Sequence, residues 1–261
     1  MTIEVIDKGR CTAEHPVPLL FVHGAWHAAW CWDEHFLNFF VRRGFRAVAV
    51  SLRGHGESTL SKPLSKCSIA DYLDDVREVA DTLGGQPVLI GHSMGGFIVQ
   101  KYLEDRRAPA AVLLASMPSQ VARRAAVAVR ILLRGPGVTI RAFTIGRPDD
   151  VVTTPRLAHK HFFCQHTPES IVISCAARLQ PESPKAAGLT HLSKPAGVGT
   201  PLLVLGGRED ATVTNGDVRA TARAHRAEAE FFPRMGHNMM LEPGWADVAE
   251  RIHGWLRDHG V

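Results

Sequence analysis

No apolar run in this chain of 261 residues approaches the roughly 20 residues that a membrane-spanning helix needs. Residues 1–8 carry charge where a signal peptide needs an apolar stretch. The five cysteines are an odd number without a Cys-x-x-Cys pair, which argues against a disulfide framework and favours reduced thiols. The sequence therefore predicts a cytoplasmic protein without stable membrane insertion.

Patterns for cofactors and metals are missing as well. No Gly-x-Gly-x-x-Gly sequence follows the first predicted strand, so a dinucleotide cofactor is not expected. His159, His161 and His166 cluster near Cys164, yet they lack the convergent spacing of a defined zinc site. We interpret these histidines as partly exposed residues, and we expect no cofactor and no metal.

Positive charge is concentrated in one part of the chain. The formal net charge is +4, but residues 117–160 hold seven arginines and one lysine against two aspartates, a net +6, so the remainder carries −2. A local excess of this kind differs from the basic stripe with interleaved aromatics that follows a nucleic acid backbone. A nucleic acid partner is therefore not expected, and the oligomeric state stays open.

Apolar runs bounded by turn residues recur at intervals that suit strand-helix-strand units. They occupy residues 19–22, 45–50, 88–90, 111–115, 202–205 and 229–232. Near-continuous hydrophobicity is typical of strands that are buried on both faces of a parallel sheet. Ser68 is a predicted N-cap, and the helix that it begins is expected to stop at Gly84. The pattern predicts an α/β fold.

Residues 117–194 interrupt this alternation with helical patterns. Apolar residues repeat at helical spacing from Val121 to Leu133, with arginines largely off that face, and Gly135-Pro136-Gly137 ends the segment. Thr167-Pro168 opens a second predicted helix. We interpret 117–194 as an inserted helical lid on a core formed by 1–116 and 195–261. The alternative is an independent second domain, and weak contact of the basic lid with a lipid surface stays open.

One pentapeptide carries the strongest chemical signal. Gly91-His92-Ser93-Met94-Gly95 lies between an apolar strand and a predicted helix, although such a string also occurs by chance. A sharp strand-to-helix turn exposes a serine hydroxyl and crowds the positions two residues away, where glycine is needed. The amide of Met94 then points toward the place where a substrate oxygen becomes negative. Ser93 is the predicted nucleophile.

A serine nucleophile needs a base, and the base needs an orienting acid. His237 follows the last predicted strand and is the preferred base, with His55 and His92 as weaker candidates. Asp210 follows the run 202–205 and is the preferred acid. Of its neighbours, Glu209 is expected to point away. Asp217 is interpreted as a surface residue that compensates a helix dipole.

The order serine, aspartate, histidine and the elbow motif resemble the α/β-hydrolase fold superfamily of the serine-nucleophile type. The resemblance implies a mostly parallel sheet of about eight strands with helices on both faces and a lid after the sixth strand. It implies an oxyanion hole from the amides of Ala25 and Met94, and a substrate pocket at Gly24, Trp26 and His92. Residues 51–58 resemble the family's Asp-x-x-Gly-x-Gly-x-Ser turn, with serine in place of aspartate. Residues 23–32 are also similar to the plant methylesterase and hydroxynitrile lyase branch.

The predicted function is hydrolysis of a carboxylic ester of a small to medium hydrophobic substrate through an acyl-enzyme. Alternatives with the same site are a hydroxynitrile lyase-like reaction, a thioesterase, or a ligand-binding receptor with slow turnover. A lysine of the lid beside the reactive centre favours the lyase, and Lys160, Lys185 and Lys194 are the candidates.

Overall fold

Seven strands form one sheet in the described part of the computed structural model, which comprises residues 1–134, 154–186, 190, 192 and 199–261. The strand order is β1-β3-β2-β4-β5-β6-β7, and every pair is parallel except β1 with β3. The strands are β1 Val5–Lys8, β2 Leu19–Val22, β3 Ala47–Val50, β4 Val88–His92, β5 Ala111–Leu114, β6 Leu202–Gly207 and β7 Ala229–Phe232.

Helices cover both faces of this sheet. They are α1 Trp30–Asp33, α2 Phe36–Val41, α3 Ile69–Thr82, α4 Met94–Tyr102, α5 Val121–Arg134, α6 Pro155–Phe162, α7 Glu169–Ala176, α8 Asn215–Ala224 and α9 Trp245–Asp258. Leu19 and Phe21 of β2 belong to the apolar cluster that includes α1, α2 and α9. Leu20 and Val22 belong to the cluster that includes α3, α4 and α8. Successive side chains of a strand point to opposite faces, so the continuous apolar runs serve both clusters.

The α/β prediction is confirmed, with differences in detail. β1 escaped prediction because it is an antiparallel edge strand whose residues alternate between exposed and half-buried, so it has no apolar run. The described sheet has seven strands, and the insertion falls between β5 and β6 instead of after a sixth strand. The N-cap prediction for α3 is confirmed: Ser68 and Asp71 form a reciprocal capping box, and the helix ends at Thr82.

The described part of the insertion contains the three helices α5, α6 and α7, joined by irregular segments. Residues 135–137, the predicted stop of α5, lie outside the described residues, as do residues 194 and 195 at the predicted lid boundary, so that boundary stays a prediction. α7 begins at Glu169, with Pro168 as its N-cap instead of its first residue. α6 was missed because its histidines and lysine obscured the apolar spacing, although Thr154 caps it and Pro155 opens it.

Two arginines of α5 bind a residue of the core. Arg123 and Arg130 both form ion pairs with Asp217 at the start of α8. Arg124 is buried and donates to the carbonyl oxygens of Pro118 and Ser119 at 2.9 and 2.7 Å. Arg123 and Arg130 therefore hold the basic segment on the core, whereas the carbonyl groups that Arg124 binds lie within the insertion. Within the described residues, no helix has the length and apolarity required to cross a membrane.

Candidate active site

Ser93 lies in a strained turn between β4 and α4. Its φ of 52° is in the left-handed region that non-glycine residues rarely adopt, and it is the N-cap of α4. A Cβ atom at Gly91 would lie 2.6 Å from the carbonyl oxygen of Gly95, and one at Gly95 would lie 2.3 Å from that of Val22. The two glycines are therefore required by close backbone approach.

A linear chain of hydrogen bonds joins Ser93, His237 and Asp210. Nδ1 of His237 lies 2.8 Å from Oδ2 of Asp210, and Nε2 lies 2.9 Å from Oγ of Ser93. Because an ionised carboxylate only accepts, Nδ1 carries the proton and Nε2 accepts from the serine hydroxyl. All three side chains are buried. We call this arrangement the Ser93–His237–Asp210 chain.

Backbone amides hold Asp210 in place. Its Oδ1 accepts hydrogen bonds from the N–H groups of Thr212 and Val213 at 2.7 and 2.9 Å, which leaves Oδ2 for His237. β6 ends at Gly207, so the loop that turns at Asp210 starts at the carboxyl edge of the sheet. The neighbouring Glu209 is half-buried, and in the described structure the carboxylate that bonds to Nδ1 of His237 is that of Asp210.

Two histidines hold the loop that follows β2. Nδ1 of His23 donates to the carbonyl oxygen of Gly24 at 2.7 Å, and Nδ1 of His27 donates to that of Ala25 at 2.8 Å. In a trans peptide the carbonyl and the following N–H point in opposite directions. The bond from His23 therefore fixes the direction of the Ala25 N–H. Burial lowers the pKa of His27 to about 4, so its ring is neutral at pH 7.

A cavity of about 80 Å³ lies beside Ser93. A groove of about 230 Å³ between α1 and α7 is larger but contains no member of the Ser93–His237–Asp210 chain. Besides Ser93 and His237, the described lining residues of the cavity are Ala25, Trp26, His27, His92, Met94, Met117, Ala128, Ile131, Phe162, Glu182, Ala186 and Thr212.

The predicted pocket residues fall into two groups. Trp26 and His92 line the cavity, whereas Gly24 is not among its described lining residues. Gly24 packs behind the nucleophile instead, where a Cβ atom would lie 3.0 Å from Cβ of Ser93 and 2.8 Å from Nδ1 of His92. Gly24 therefore contributes close packing behind Ser93, and its role in a substrate pocket stays a prediction.

The rival bases have other partners. Nε2 of His92 donates to the carbonyl oxygen of His237 at 2.9 Å, so His92 supports the loop of the base. Burial, then the neighbouring His237, lowers the pKa of His92 well below its usual value. Nε2 of His55 lies 3.3 Å from Oε2 of Glu182. Neither ring is hydrogen-bonded to Ser93 in the described structure.

Asp217 is not the surface residue that the sequence indicated. It is buried, it occupies the third position of α8, and Thr214 and Asp217 form a capping box. Burial would raise its pKa, but the Thr214 and Arg123 donors outweigh burial and lower it. Asp217 thus compensates the helix dipole as expected, but from a buried ion-pair network with α5.

The histidines near Cys164 also differ from the expectation in part. His161 is buried, and neither ring nitrogen has a hydrogen-bond partner among the described residues. His159 bonds to the carbonyl oxygen of Cys164 at 3.0 Å. In the ranges that the structure describes, no three His, Cys, Asp or Glu side chains converge as metal ligands would, and no disulfide forms.

Several cavity residues had no signal in the sequence. Phe162 ends α6, and its ring stacks on that of His237 with centroids 6.2 Å apart. Glu182 and Ala186 come from an irregular segment that reaches the cavity only through tertiary packing. Of these cavity residues, only His27 could have been predicted, because it lies in the same loop as Ala25 and two residues after it.

Comparison with known proteins identifies the family. The model of the alpha/beta hydrolase family matches residues 19–251. The chain therefore belongs to this family, and it has the fold of a hydrolase.

Individual relatives include esterases and a bromoperoxidase. The chain is 38% identical over 110 residues to the bifunctional esterase/perhydrolase DCH of Acinetobacter calcoaceticus, a match that covers 40% of this chain and 39% of that protein. A thermophilic esterase from Thermogutta terrifontis superposes with a TM-score of 0.71 at 23% identity, covering 99% of this chain and 94% of the other. A putative non-heme bromoperoxidase, BpoC, from Mycobacterium tuberculosis gives 0.74 at 21%, covering 99% and 97%. These two structures show the fold alone.

Proposed function

We propose that this protein hydrolyses carboxylic esters through an acyl-enzyme on Ser93. The observation that supports the proposal most directly is the Ser93–His237–Asp210 chain, with 2.9 and 2.8 Å between its members. This order of donor and acceptor is what a serine nucleophile, a general base and an orienting acid require. The similarity to the bifunctional esterase/perhydrolase of Acinetobacter calcoaceticus agrees with the proposal.

In the proposed first half-reaction, Oγ of Ser93 attacks the ester carbonyl while Nε2 of His237 takes the hydroxyl proton. The imidazolium is stabilised by Asp210, whose second oxygen is already satisfied by two amides. The protonated His237 then donates the proton to the departing alcohol, which leaves the acyl group on Ser93. In the second half-reaction His237 activates a water molecule that attacks the acyl carbonyl and releases the acid.

The amides of Ala25 and Met94 are the proposed oxyanion donors. Met94 is the first residue of α4, so its N–H is one of the free amides at a helix start. The direction of the Ala25 N–H is held by the bond from His23 to the Gly24 carbonyl. Ala25 and Met94 both line the cavity beside Ser93. Fixed donors of this kind stabilise the negative charge of a tetrahedral intermediate.

The proposed substrates are small to medium hydrophobic esters. The cavity wall consists mainly of apolar side chains, and its volume accommodates only a compact group. Arg123 and Arg130 are engaged with Asp217, so they do not support contact of the insertion with lipid. We therefore propose a small-molecule substrate and a reaction that needs no cofactor. We also propose that the protein has no nucleic acid partner and acts in the cytoplasm.

The lyase alternative finds no support in the described lysines. Lys160 donates to the carbonyl oxygen of Arg134, Lys185 is exposed, and neither lines the described cavity. Lys194 lies outside the described residues. The Ser93–His237–Asp210 chain is equally suited to thioesters, so that alternative is resolved by the substrate panel below.

The test has two arms. A fluorophosphonate probe should label the parent protein once, on the peptide that contains Ser93, while Ser93→Ala should stay unlabelled. The exposed Ser170 provides the control, since Ser170→Ala should label normally. In the second arm, 4-nitrophenyl esters of graded acyl length are compared with thioester and amide analogues. Labelling at another residue, or turnover of none of the esters, contradicts the proposal. A stable adduct after a single turnover favours the receptor alternative.

A further inference from the structure

Glu182 is an acidic side chain in the wall of the cavity. Among the described lining residues it is the only carboxylate, and no lysine or arginine is among them. Its side chain is only 6% exposed, so its charge acts where little water screens it. The Ser93–His237–Asp210 chain makes no use of it.

Three neighbours hold this carboxylate. Oε1 accepts hydrogen bonds from the hydroxyl of Tyr72 and from the N–H of Ser183, both at 2.6 Å. Oε2 has no hydrogen-bond partner among the described residues and lies 3.3 Å from Nε2 of His55. Buried charges persist in proteins when they are paired in this way.

The negative partner of this ion pair, Glu182, is the one that faces the cavity. Burial opposes protonation of His55, but Glu182 outweighs burial and raises the pKa of His55. Glu182 lines the cavity and His55 does not, so the negative end of the pair is nearer to the substrate. The segment that carries Glu182 is also fixed to the core, because Gln180 accepts from the N–H of Gly56 and donates its own N–H to the Trp26 carbonyl.

We propose that Glu182 determines specificity by excluding esters whose bound part carries a negative charge. The inference rests on the proposed esterase function and adds the substrate class: neutral esters are accepted, and half-esters of dicarboxylic acids are rejected. A specific site discriminates as much by a repulsive group as by an attractive one. Like charges brought together without water repel each other strongly, so a discrimination on the order of a hundredfold is expected.

The experiment compares two esters of nearly equal shape. In methyl 4-methylpentanoate an isopropyl group occupies the place of the carboxylate in monomethyl succinate. The ratio of their kcat/KM values should be on the order of a hundred in the parent protein. Glu182→Gln retains an oxygen for Tyr72 and Ser183 and removes only the charge, so the ratio should narrow at least tenfold. An unchanged ratio in a folded Glu182→Gln protein overturns the inference.

Two further variants separate charge from architecture. Tyr72→Phe removes one hydrogen bond to the same carboxylate and retains its charge, so it should lower the unfolding temperature and leave the ratio unchanged. His55→Gln removes the compensating positive charge and should widen the ratio, which also provides a test if Glu182→Gln does not fold. The inference is overturned if Tyr72→Phe changes the ratio of the two kcat/KM values, or if His55→Gln leaves that ratio unchanged.

Binding without turnover distinguishes this inference from the proposed function. Ligand-observed NMR titration of the Ser93→Ala protein measures the affinity of both esters when no chemistry occurs. If the parent protein hydrolyses neither these two esters nor any of the 4-nitrophenyl esters, the esterase proposal fails. The titration still tests Glu182 in that case. If Glu182 selects by charge, the Ser93→Ala protein binds the neutral ester more tightly, and the Ser93→Ala, Glu182→Gln double variant loses this preference.

Discussion

The side-chain amide of Asn238 donates to Nε2 of His27 at 3.0 Å, and this bond joins the loop of His237 to the loop of Ala25. Nδ1 of the same ring donates to the Ala25 carbonyl at 2.8 Å. One neutral imidazole thus connects the proposed base with the proposed oxyanion donor. Cys175 of α7 lies 3.8 Å from the same Nε2, so the insertion contacts this junction as well.

Asn238→Ala should therefore reduce turnover more than substrate affinity. Without the amide, the two loops lose a buried hydrogen bond, and the destabilisation should be about 1–3 kcal/mol. We expect kcat to fall roughly tenfold with KM nearly unchanged, because the lost contact orients donors used in the transition state. Asn215→Ala, which removes a half-buried amide that donates to the carbonyl oxygen of Arg208, is the control. Equal kinetics for the two variants would contradict a role for the bridge.

Asp210→Asn should abolish most activity without unfolding the protein. Asparagine retains the oxygen that accepts from Thr212 and Val213, but its NH₂ group then faces Nδ1 of His237. The ring adopts the wrong tautomer, which costs about 10⁴-fold in kcat in the well-studied serine protease triad. Steady-state kinetics on a 4-nitrophenyl ester measures the loss. Glu209→Gln is the matched control and should stay within a few-fold of the parent.

Asp217→Asn should affect stability and spare the chemistry. The carboxylate pairs with Arg123 and Arg130 and caps α8, whereas it lies outside the described cavity. Because both arginines are partly exposed, we expect a loss of about 1–2 kcal/mol at neutral pH, below the value for a fully buried pair.

The pH dependence provides a second readout for Asp217. Its pKa is lowered in the folded protein, so the stabilisation is present above the usual 3.8 and is lost as the pH falls through the folded value. Denaturant unfolding of parent and variant should therefore differ at pH 7 and converge in strong acid. A constant difference at all pH values would show that the charge is not responsible.

Acidification below about pH 6.5 should destabilise the protein. Burial lowers the pKa of both His27 and His161 to about 4, whereas the unfolded chain titrates near 6.5. Between these values the unfolded state binds more protons, so stability rises with pH in this window. His55, whose pKa is raised, contributes in the opposite sense. His161→Phe should reduce the decline in unfolding temperature between pH 7 and 5, while His166→Asn, at an exposed site, should not.

Local pattern was sufficient for the elements of the sheet and for the elbow. The runs at β2, β3, β4, β5 and β6 are apolar because both faces are covered, and that cause leaves a continuous signal in the chain. Gly91 and Gly95 flank Ser93 for a reason of backbone geometry that is local as well. Once the strands are parallel, residues after their carboxyl ends share one edge, which is how Asp210 and His237 could be selected before any distance was known.

Other features depended on contacts between residues far apart in the chain. Gly24 was predicted to line the pocket, but in the structure it packs behind Ser93. Which atoms meet behind Ser93 depends on the pairing of β2 with β4, which the sequence does not show. Asp217 has the sequence context of an exposed helix start, and it is buried because two arginines of the insertion reach it.

Sequence alone thus determined the α/β class, the parallel strands and the elbow at Ser93, because each depends on neighbours within a few residues. Only the tertiary structure decided that Glu182 enters the cavity wall, with His55 from one loop and Tyr72 from α3 as its partners. No periodicity marks such a residue, since its environment is assembled from segments more than 100 residues apart. Burial and the sign of a neighbouring charge are properties of the assembled fold.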